Sequence, residues 1–575
     1  MPHSMKLIFI QLPRLDPDVA SPGENNMAAA ACLSAALARS DEASHWIVCE
    51  TPAIQDSASD ARLLERIVDA APDAVAATCY LWNVERTLSL LRRLKRRLPG
   101  LRAVLGGADI ARDHPVLADA KPRRGALWDV LVVGEGETVF PAVLRHVRTG
   151  EAPDFSGVAW RLPDGAVQEG VQPRRLRPLV ELLPPPDDPA NRPDAVGMAY
   201  LETSRGCPLR CAFCCYNMRR TSLSCLEPDE VRQRVRILRE RGAREIRLTD
   251  PTFNAHPSFA AVLDALAREN SDHSLAFFVE IRADTLTDAQ AARLAEAGVA
   301  EAEVGIQSTD SRVLALIHRP LRENRVLRGI EALLRHGIRP TLDFMYGLPG
   351  QDEGDVRRSL QWLARFGDRI HPQFLPTLLL PGTELRDRAA ELGLRAQRLP
   401  PYRVTATDKL ASRQLAAIES WANDALGAFD SPTRRFVGAR LPDLFASRIA
   451  RRLDGGGDPP AVVAQANRQA VVFSGADLFK QRVAIARTLR RCVRDEPHIL
   501  WQFVLAPETE EPLDLLDALI AELRRLPGHW LDRLVSPPGR RRLAARRLFV
   551  RLPRGAHGDP GWAEEAEALL AEHFH

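Results

Sequence analysis

The first 150 residues alternate short apolar segments with helical segments rich in Ala, Leu and Arg. The apolar segments read KLIFIQL, HWIVCE, AVAATCY, RAVLGG and WDVLVVGEGE. Strands that alternate with helices in this way form a parallel sheet that is covered on both faces. The pattern therefore predicts a Rossmann-like α/β domain over residues 1–150.

The alternation stops between residues 151 and 196 and then resumes. GVAWRLPDGAVQEG predicts a short hairpin around Asp164–Gly165, and LLPPPDDPANRPD predicts a Pro-rich linker. Six further strand-plus-helix units follow within residues 197–399. Their strands read MAYLETS, EIRLTDPTF, LAFFVEIRAD, AEVGIQS, RPTLDFMYGLPG and PQFLPTLLLPGTEL. This number and spacing favour a partial (β/α)6 barrel of the TIM type, whose chemistry lies where its strands end.

Residues 400–575 have a different pattern. Ala/Leu/Arg-rich segments predict a mainly helical C-terminal domain, with one strand candidate at Ile499–Pro507. The run RRRLAARRLFVRLPR (Arg540–Arg554) is open to two interpretations, a basic patch for an anionic substrate or a solvated helix face. We favour the helix face.

Charge and hydropathy exclude several classes of partner. The 575 residues hold 78 Lys and Arg against 75 Asp and Glu, for a net charge of +3. This balance gives no footprint for nucleic acid or an anionic membrane. The first apolar run is too short for a signal peptide, and no stretch reaches the roughly 18 apolar residues of a membrane span. We therefore expect a cytoplasmic protein with neither nucleic acid nor membrane as a partner.

Four of the nine cysteines are clustered in RGCPLRCAFCCYN. Cys207, Cys211 and Cys214 have the spacing C-x3-C-x2-C directly after the first barrel strand. Soft thiolates on one tight loop suit an iron-sulfur cluster. Zinc is the rival interpretation, but a structural zinc site requires four ligands, and no second pair of cysteines lies nearby. Cys215 is a candidate fourth ligand, although its adjacency to Cys214 favours packing instead.

These residues resemble the signature of the radical S-adenosylmethionine (SAM) superfamily, including the aromatic Phe213 before the third cysteine. The resemblance implies a [4Fe-4S] cluster held by Cys207, Cys211 and Cys214, with an open iron that chelates SAM. It also implies an external low-potential electron donor of the flavodoxin or ferredoxin type.

The resemblance continues along the barrel strands. LTDPTFN, which contains Asp250, is similar to the segment beside the amino group of SAM, and FVEIRAD places Glu280 at the ribose hydroxyls. EVGIQSTDSRVLALIHR resembles the unit in which Gln307 and Ser308 face the site and Arg319 pairs with the SAM carboxylate. Glu280 with Arg282, or Glu303 with Arg319, could alternatively form structural ion pairs.

The N-terminal domain resembles that of cobalamin-dependent radical SAM enzymes. The matching strand ends read TCYLWN, LGGAD and GEGET, although plain turn chemistry also accounts for their glycines. The resemblance implies cobalamin contacts from Tyr80, Trp82, Gly106, Gly107, Gly134, Glu135, Gly136 and Thr138. A D-x-H-x-x-G segment is missing, because Asp109 and His114 have the wrong spacing. Cobalt would therefore have no histidine ligand, and Trp82 or Tyr80 would shield its lower face.

The resemblance implies a C-methyltransferase of natural product biosynthesis. It would transfer a methyl group through methylcobalamin to an unactivated carbon of a small molecule or peptide, with the C-terminal region as a substrate or lid domain. The alternative enzyme uses the same cofactors for cyclisation, ring contraction or another rearrangement. A cofactor carrier and a tRNA methylthiotransferase are disfavoured. Tyr216, Tyr346 and Cys215 are candidates for quenching a product radical.

Overall fold

The first sheet is built from apolar segments that are buried on both faces. The computed structural model describes residues 4–18, 28–49, 52–111, 126–174, 177–216, 222–426, 435–453, 461–535, 542–552 and 560–574. Five parallel strands have the spatial order β2-β1-β3-β4-β5: β1 (Met5–Ile10), β2 (Trp46–Cys49), β3 (Ala74–Thr78), β4 (Arg102–Gly106) and β5 (Val130–Val132). The five predicted strands are thus all present.

Helices cover both faces of this sheet. They span Ala28–Ala38, Pro52–Ser57, Asp60–Ala70, Val84–Arg97 and Phe140–Thr149. Successive side chains of a strand point to opposite faces, and β1 shows the result: Ile8 and Ile10 belong to one apolar core, whereas Leu7 and Phe9 belong to another. This double cover explains why the strands read as continuous apolar runs.

The predicted hairpin extends the first sheet. β6 (Val158–Arg161) pairs antiparallel with β5 and with β7 (Val167–Glu169). We predicted that the sheet domain ends at residue 150 and that the hairpin opens a linker, so the sheet is longer than predicted. The alternating pattern of Val158 and Trp160 indicates a strand with one buried face, but it does not specify the sheet that buries it. The linker itself carries a short helix, Leu179–Leu182.

The second sheet is the predicted partial (β/α)6 barrel. Its six parallel strands follow one another in space in chain order. They begin with β8 (Met198–Leu201), after which a small ribbon forms from β9 (Ser204–Arg205) and β10 (Ser224–Cys225). The remaining barrel strands are β11 (Glu245–Leu248), β12 (Ala276–Glu280), β13 (Val299–Gln307), β14 (Arg339–Tyr346) and β15 (His371–Pro376).

Helices follow the barrel strands and begin at recognisable caps. They span Pro228–Glu240, Phe259–Glu269, Asp288–Ala297, Ser311–Leu316, Glu323–Arg335 and Glu353–Ala364. Thr287 and Asp352 each form a capping box, in which the cap side chain accepts a backbone N–H of the first turn. Beyond the barrel lie helix Glu384–Asp387, a ribbon of β16 (Arg395–Ala396) and β17 (Val404–Ala406), and helix Ser412–Leu426.

The C-terminal region is a third α/β unit, which corrects the prediction of a mainly helical domain. Five parallel strands have the order β18-β22-β21-β20-β19. They are β18 (Val437–Gly438), β19 (Ser447–Arg452), β20 (Arg468–Gly475), β21 (Leu500–Pro507) and β22 (Arg546–Arg551). Helices Arg482–Asp495, Leu513–Arg525, Trp530–Val535 and Pro560–Phe574 accompany them. Of these strands, the sequence analysis predicted only β21.

The basic run near the C-terminus explains much of this error. Its described part, 542–552, contains the buried strand β22 instead of a solvated helix face. Arg546 donates to the Pro527 carbonyl, and Arg547 forms an ion pair of 2.8 Å with Asp18. Arg547 is only 7% exposed. The charges of Arg546 and Arg547 are thus satisfied inside the protein by a backbone carbonyl and by a distant carboxylate. A buried strand can therefore have the arginine-rich composition that is typical of a surface helix.

The three α/β units pack against one another. Ala58 forms an antiparallel bridge with Ala466, and the Ser59 hydroxyl donates to the Ala464 carbonyl at 2.7 Å. The buried Tyr402 hydroxyl donates to Asp109 at 2.9 Å, which joins the segment after the barrel to the N-terminal sheet. Within the described ranges, no helix has the length and apolar character that crossing a bilayer requires.

Candidate functional site

The cysteine loop follows β8 and lies at the carboxyl end of the barrel strands. Cys207 and Cys211 are buried, and Cys214 is half-buried. The Cys207 Sγ lies 3.5 Å from the Thr252 Oγ1, and the Arg319 guanidinium lies 3.4 Å from the Cys211 Sγ. The Cys214 amide donates to the Cys211 carbonyl at 3.1 Å, which folds the loop back on itself.

The three thiols share one loop at the barrel cavity. In the part of the chain that the structure describes, no three His, Cys, Asp or Glu side chains converge as ligands of one metal ion. Burial raises the pKa of the Cys214 thiol to about 12. An isolated thiol there would stay protonated at neutral pH, so the positive charge of a metal is needed to hold its thiolate.

The thiols open into a cavity of about 390 Å³ at the mouth of the barrel. Glu280, Gln307 and Arg319 line it, as the sequence analysis expected. Asp250 and Ser308 do not. Asp250 is fully buried behind the wall and accepts a hydrogen bond of 3.0 Å from the Thr203 hydroxyl, and Ser308 accepts one from the Asp310 amide. Their contacts with SAM therefore remain predictions, and the structure places both residues behind the cavity surface.

Several carboxyl groups make this cavity acidic. Burial, and then repulsion from Glu303 and Asp250, raises the pKa of Glu280 to about 7. Burial and the neighbouring Glu303 raise the pKa of Asp343 to about 9. A buried carboxyl group keeps its proton unless a cation or hydrogen-bond donors stabilise its charge. The cavity thus favours a ligand that brings positive charge.

The two ion pairs considered as alternatives do not form. Arg282 pairs with Asp284, and Arg319 donates to the Gly305 carbonyl and lies against the Cys211 Sγ. Glu280 and Glu303 are therefore available to the cavity. Glu303 was considered only as an ion-pair partner, and its position on alternate residues of β13 with Gly305 and Gln307 was the signal that it faces the same side.

A second cavity, of about 420 Å³, lies at the carboxyl ends of the N-terminal strands. Six of the residues expected to contact cobalamin line it: Tyr80, Gly106, Gly107, Gly134, Glu135 and Gly136. Trp82 and Thr138 do not. The Trp82 ring stacks on Tyr80, with the ring centroids 4.5 Å apart, and packs against an apolar cluster of the C-terminal unit. Of these two rings, Tyr80 is therefore the one that meets the cavity.

Small residues form the floor of this N-terminal cavity. Ala76, Ala77 and Ala108 join the glycines there. Gly107 has a φ of +108°, and a Cβ at this position would fall on the Cys79 carbonyl. A floor of backbone and methyl groups leaves room for a large flat ligand such as a corrin. His114 lies outside the described residues, and the described cavity lining contains no histidine.

The two cavities meet at the cysteine loop. Tyr216 lines both, and Arg205, Gly206 and Cys215 line the N-terminal cavity from the barrel side. Arg205 forms a bidentate ion pair with Glu202, at 2.8 and 2.9 Å. The sequence analysis did not assign Arg205 or Glu202, because nothing in a linear pattern shows that the loop between two domains belongs to the walls of both. Tyr216 was considered only as a radical quencher, and Cys215 as a quencher, a fourth cluster ligand or a packing residue.

Two family models match the chain in the order that the fold suggests. The B12 binding domain matches residues 30–144, and the Radical SAM superfamily matches residues 201–363. The protein thus consists of a Rossmann-like α/β domain followed by a partial barrel that carries the three cysteines. It combines a B12 binding domain with a radical SAM domain, the domain pair of cobalamin-dependent radical SAM enzymes.

Known proteins share parts of this arrangement. A 2-(S-pantetheinyl)-carbapenam-3-carboxylate methyltransferase from Streptantibioticus cattleyicolor is 31% identical over 211 residues, which cover 34% of this chain and 30% of the relative. The radical SAM methyltransferase TsrM from Kitasatospora setae superposes with a TM-score of 0.54 at 18% identity, over 68% of this chain and 79% of TsrM. The chain thus matches under a third of that curated relative, and the structural likeness shows the fold alone.

The cobalamin-dependent radical enzyme OxsB has a similar fold over a larger share of the chain. The TM-score is 0.56 at 14% identity, over 74% of this chain and 67% of OxsB. The cofactors that the two domains imply are cobalamin, a [4Fe-4S] cluster and SAM. The small-residue floor of the N-terminal cavity and the three cysteine thiols that line the barrel cavity fit these groups.

Proposed function

We propose that this protein is a cobalamin-dependent radical SAM C-methyltransferase that acts on an unactivated carbon of a small-molecule or peptide natural product. The observation that carries the proposal is the junction of the two cavities at Tyr216. A methyl group can pass from one cofactor to a substrate radical made by another only where the two sites meet. Each half of that chemistry has its own cavity here.

The cofactors supply methyl-group transfer by cobalt and hydrogen abstraction by a radical formed from SAM. The chain supplies placement. Cys207, Cys211 and Cys214 would hold the cluster, and the Arg319 guanidinium, which lies beside the Cys211 Sγ, would pair with the carboxylate of SAM. Glu280 lines the same cavity and would accept the ribose hydroxyls. Asp250 and Ser308 would act from behind the wall by holding their strand ends.

One wall of the barrel cavity is apolar and suits the reacting part of a substrate. Met345, Leu375, Pro376, Leu378, Leu380 and Leu534 form it. Leu375 is 43% exposed, an unusual position for a leucine at a strand end. A charged group placed against this wall would lose its hydration without gaining a partner. The arrangement supports an alkyl or aryl carbon as the site of methylation, and the apolar wall keeps water from a radical formed there.

The C-terminal unit contributes Leu534 to this wall. The Arg403 guanidinium donates to the Leu534 carbonyl at 3.2 Å and to the Tyr346 hydroxyl at 2.7 Å. The segment that carries Leu534 is therefore fixed to the barrel and not only packed against it. We propose that residues 400–575 cover the cavity and select the substrate through this contact.

Product stoichiometry after anaerobic reconstitution tests the proposal. The protein is loaded with iron, sulfide and hydroxocobalamin, supplied with SAM and a low-potential reductant of the flavodoxin type, and its SAM products are quantified by mass spectrometry. We expect S-adenosylhomocysteine and 5′-deoxyadenosine in comparable amounts, rising with a competent substrate. 5′-Deoxyadenosine alone, with cobalamin bound, would contradict methyl transfer and support the rearrangement alternative.

A further inference from the structure

Both ends of the cysteine loop contribute to the wall of the N-terminal cavity. The loop runs from Gly206 to Tyr216, and its three cluster thiols line the barrel cavity. The N-terminal cavity is lined by Arg205 and Gly206 at the start of the loop and by Cys215 and Tyr216 at its end, and Tyr216 lines both cavities. A change in the walls of that cavity therefore acts on both ends of the segment that holds the thiols.

Arg205 forms ion pairs across this boundary. Its guanidinium bonds bidentately to Glu202 of its own domain and reaches Glu137 of the N-terminal domain at 2.9 Å. Glu135 lies 4.0 Å from the same nitrogen. The Arg205 side chain is 19% exposed, so water screens these ion pairs only in part. Arg205 also lies two residues before Cys207, the first thiol of the loop.

The N-terminal side of this contact is itself held in place. Glu135 and Glu137 belong to the loop after β5 that lines the N-terminal cavity. The Arg174 guanidinium donates to the Glu135 carbonyl at 2.6 Å and to the Ser156 carbonyl at 2.5 Å. The carboxylates that Arg205 meets thus extend from a fixed loop. A displacement of that loop would therefore also displace Arg205.

We propose that Arg205 is a positioning residue that couples the N-terminal cavity to the cysteine loop, so that cobalamin binding and cluster assembly strengthen each other. A ligand in the cavity excludes water from the Arg205 ion pairs and fixes the start of the loop. A cluster on the thiols fixes the same loop and presents Arg205 to Glu137 without further ordering cost. Coupling of this kind is reciprocal by thermodynamic necessity. The inference rests on the proposed function only for the identity of the two bound groups.

Binding measurements test the coupling without any turnover. The dissociation constant of hydroxocobalamin is measured for the full chain in its cluster-free and its cluster-reconstituted forms. We expect the reconstituted protein to bind at least about fivefold more tightly, the lower end of typical coupling. In Arg205→Met this ratio should fall to about one, and Arg205→Lys, which keeps the charge but loses the bidentate fork, should be intermediate.

The matched control is Arg247→Met, which removes an arginine of the same barrel that pairs with Glu245 at 2.9 Å and stacks on Phe278. Arg247 lines neither cavity, so this variant should keep the wild-type ratio. Circular dichroism shows whether Arg205→Met folds, and Arg205→Lys carries the test where it does not. Equal wild-type constants with and without the cluster would overturn the inference, as would a wild-type ratio in Arg205→Met and Arg205→Lys.

A second readout reports the coupling from the cluster side. The rate at which a chelator removes iron from the oxidised cluster should fall when hydroxocobalamin binds to the wild type, and it should fall less in Arg205→Met. Neither measurement depends on methyl transfer. Coupled binding with no S-adenosylhomocysteine would therefore refute the proposed function and leave this inference standing, and the reverse result would do the opposite.

Discussion

Cys215 is next to Cys214 in the chain, yet its side chain lines the other cavity. We therefore expect Cys215→Ala to keep the absorbance of the iron-sulfur cluster. Replacing Cys207, Cys211 and Cys214 together by Ala should abolish that absorbance while hydroxocobalamin still binds, with an affinity lowered to that of the cluster-free form. Visible spectra after reconstitution distinguish these outcomes. Loss of the cluster in Cys215→Ala would make this residue a ligand and contradict the placement of its thiol.

Glu280 should give SAM binding a pH dependence. Its pKa of about 7 lies above the usual 4.5 because the side chain is buried near other carboxyl groups. The folded protein thus holds a proton that the unfolded chain releases at lower pH, and the stabilisation linked to that proton is lost as pH rises through about 7. SAM is cationic at its sulfonium and amino groups and favours the ionised carboxylate. Its affinity should therefore increase about tenfold from pH 6 to pH 8.

The matched variant for this prediction is Glu280→Gln, which keeps the shape of the side chain and removes its titration. Its SAM affinity should depend on pH much less than that of the wild type, as measured by equilibrium dialysis of the cluster-loaded protein. An unchanged pH profile in the variant would assign the dependence to another group of the cavity, such as Asp343.

Gly107 should tolerate no larger residue. Its positive φ and its contact with Cys79 exclude a Cβ. We expect Gly107→Ala to lower the free energy of unfolding by more than about 1 kcal/mol and to weaken hydroxocobalamin binding. Gly100→Ala is the control, because a Cβ there meets open space. Chemical denaturation of both variants measures the difference, and equal stabilities would contradict the strained turn.

Residue chemistry was predictable from the sequence only where one segment supplies the whole signal. The three cysteines lie on one loop, and Glu280 and Gln307 each end a strand, so their shared edge follows from parallel pairing. Arg319 lies just beyond the helix that follows β13. Trp82 was misplaced because the side of a strand end that an aromatic ring occupies depends on packing against a distant unit. Arg205 and Tyr216 act between domains, and no periodicity within one domain indicates that.

At the scale of elements, strand β22 is the sharpest difference from expectation, and it can be tested. Leu548 is fully buried in the core of the C-terminal unit. We expect Leu548→Ala to destabilise the protein by about 2 to 5 kcal/mol. Val483→Ala, at a position that is 62% exposed on helix Arg482–Asp495, should change the stability by less than about 0.5 kcal/mol. Denaturation curves that did not separate the two variants would contradict a buried strand.

Elements with strong apolar periodicity were predictable, and those with mixed composition were not. Three of the predicted strands are apolar runs or end next to turn residues, namely β1, β3 and β14. Their patterns indicate strands without reference to tertiary structure. β19 reads SRIARR, with alternating half-buried and exposed residues at the edge of its sheet. Edge strands carry charge to prevent pairing with other chains. The same charge gives them the composition of a helix surface.

At the scale of the whole molecule, the segment around Tyr402 joins the units. Tyr402 is 1% exposed, and its hydroxyl donates to Asp109, the residue directly after Ala108 of the N-terminal cavity floor. Tyr402→Phe removes a buried hydrogen bond to a carboxyl group, and we expect it to lower stability by about 1 to 3 kcal/mol and to speed cobalamin release. Tyr200→Phe, at a position that is 50% exposed, serves as the control. Stopped-flow displacement of cobalamin measures the release rate.

The packing of the three units could not be predicted from the sequence. The order of domains follows from the order of their patterns, but bridges such as Ala58 with Ala466 join residues that share no local signal. Contacts between residues that are so far apart in the chain depend on surfaces that exist only after each unit has folded. The hairpin β6–β7 shows the same limit at smaller scale, because the pattern indicates its strands but not their partner sheet.

Because Tyr216 lines both cavities, substitutions that enlarge the substrate site do not all have the same effect. Leu375 and Leu378 line the barrel cavity but not the N-terminal cavity, and replacing them by smaller residues enlarges only the space for a substrate. Trimming Tyr216 enlarges both spaces and opens a leak between them. Libraries for altered specificity therefore belong on the β15 side, with Tyr216 left constant.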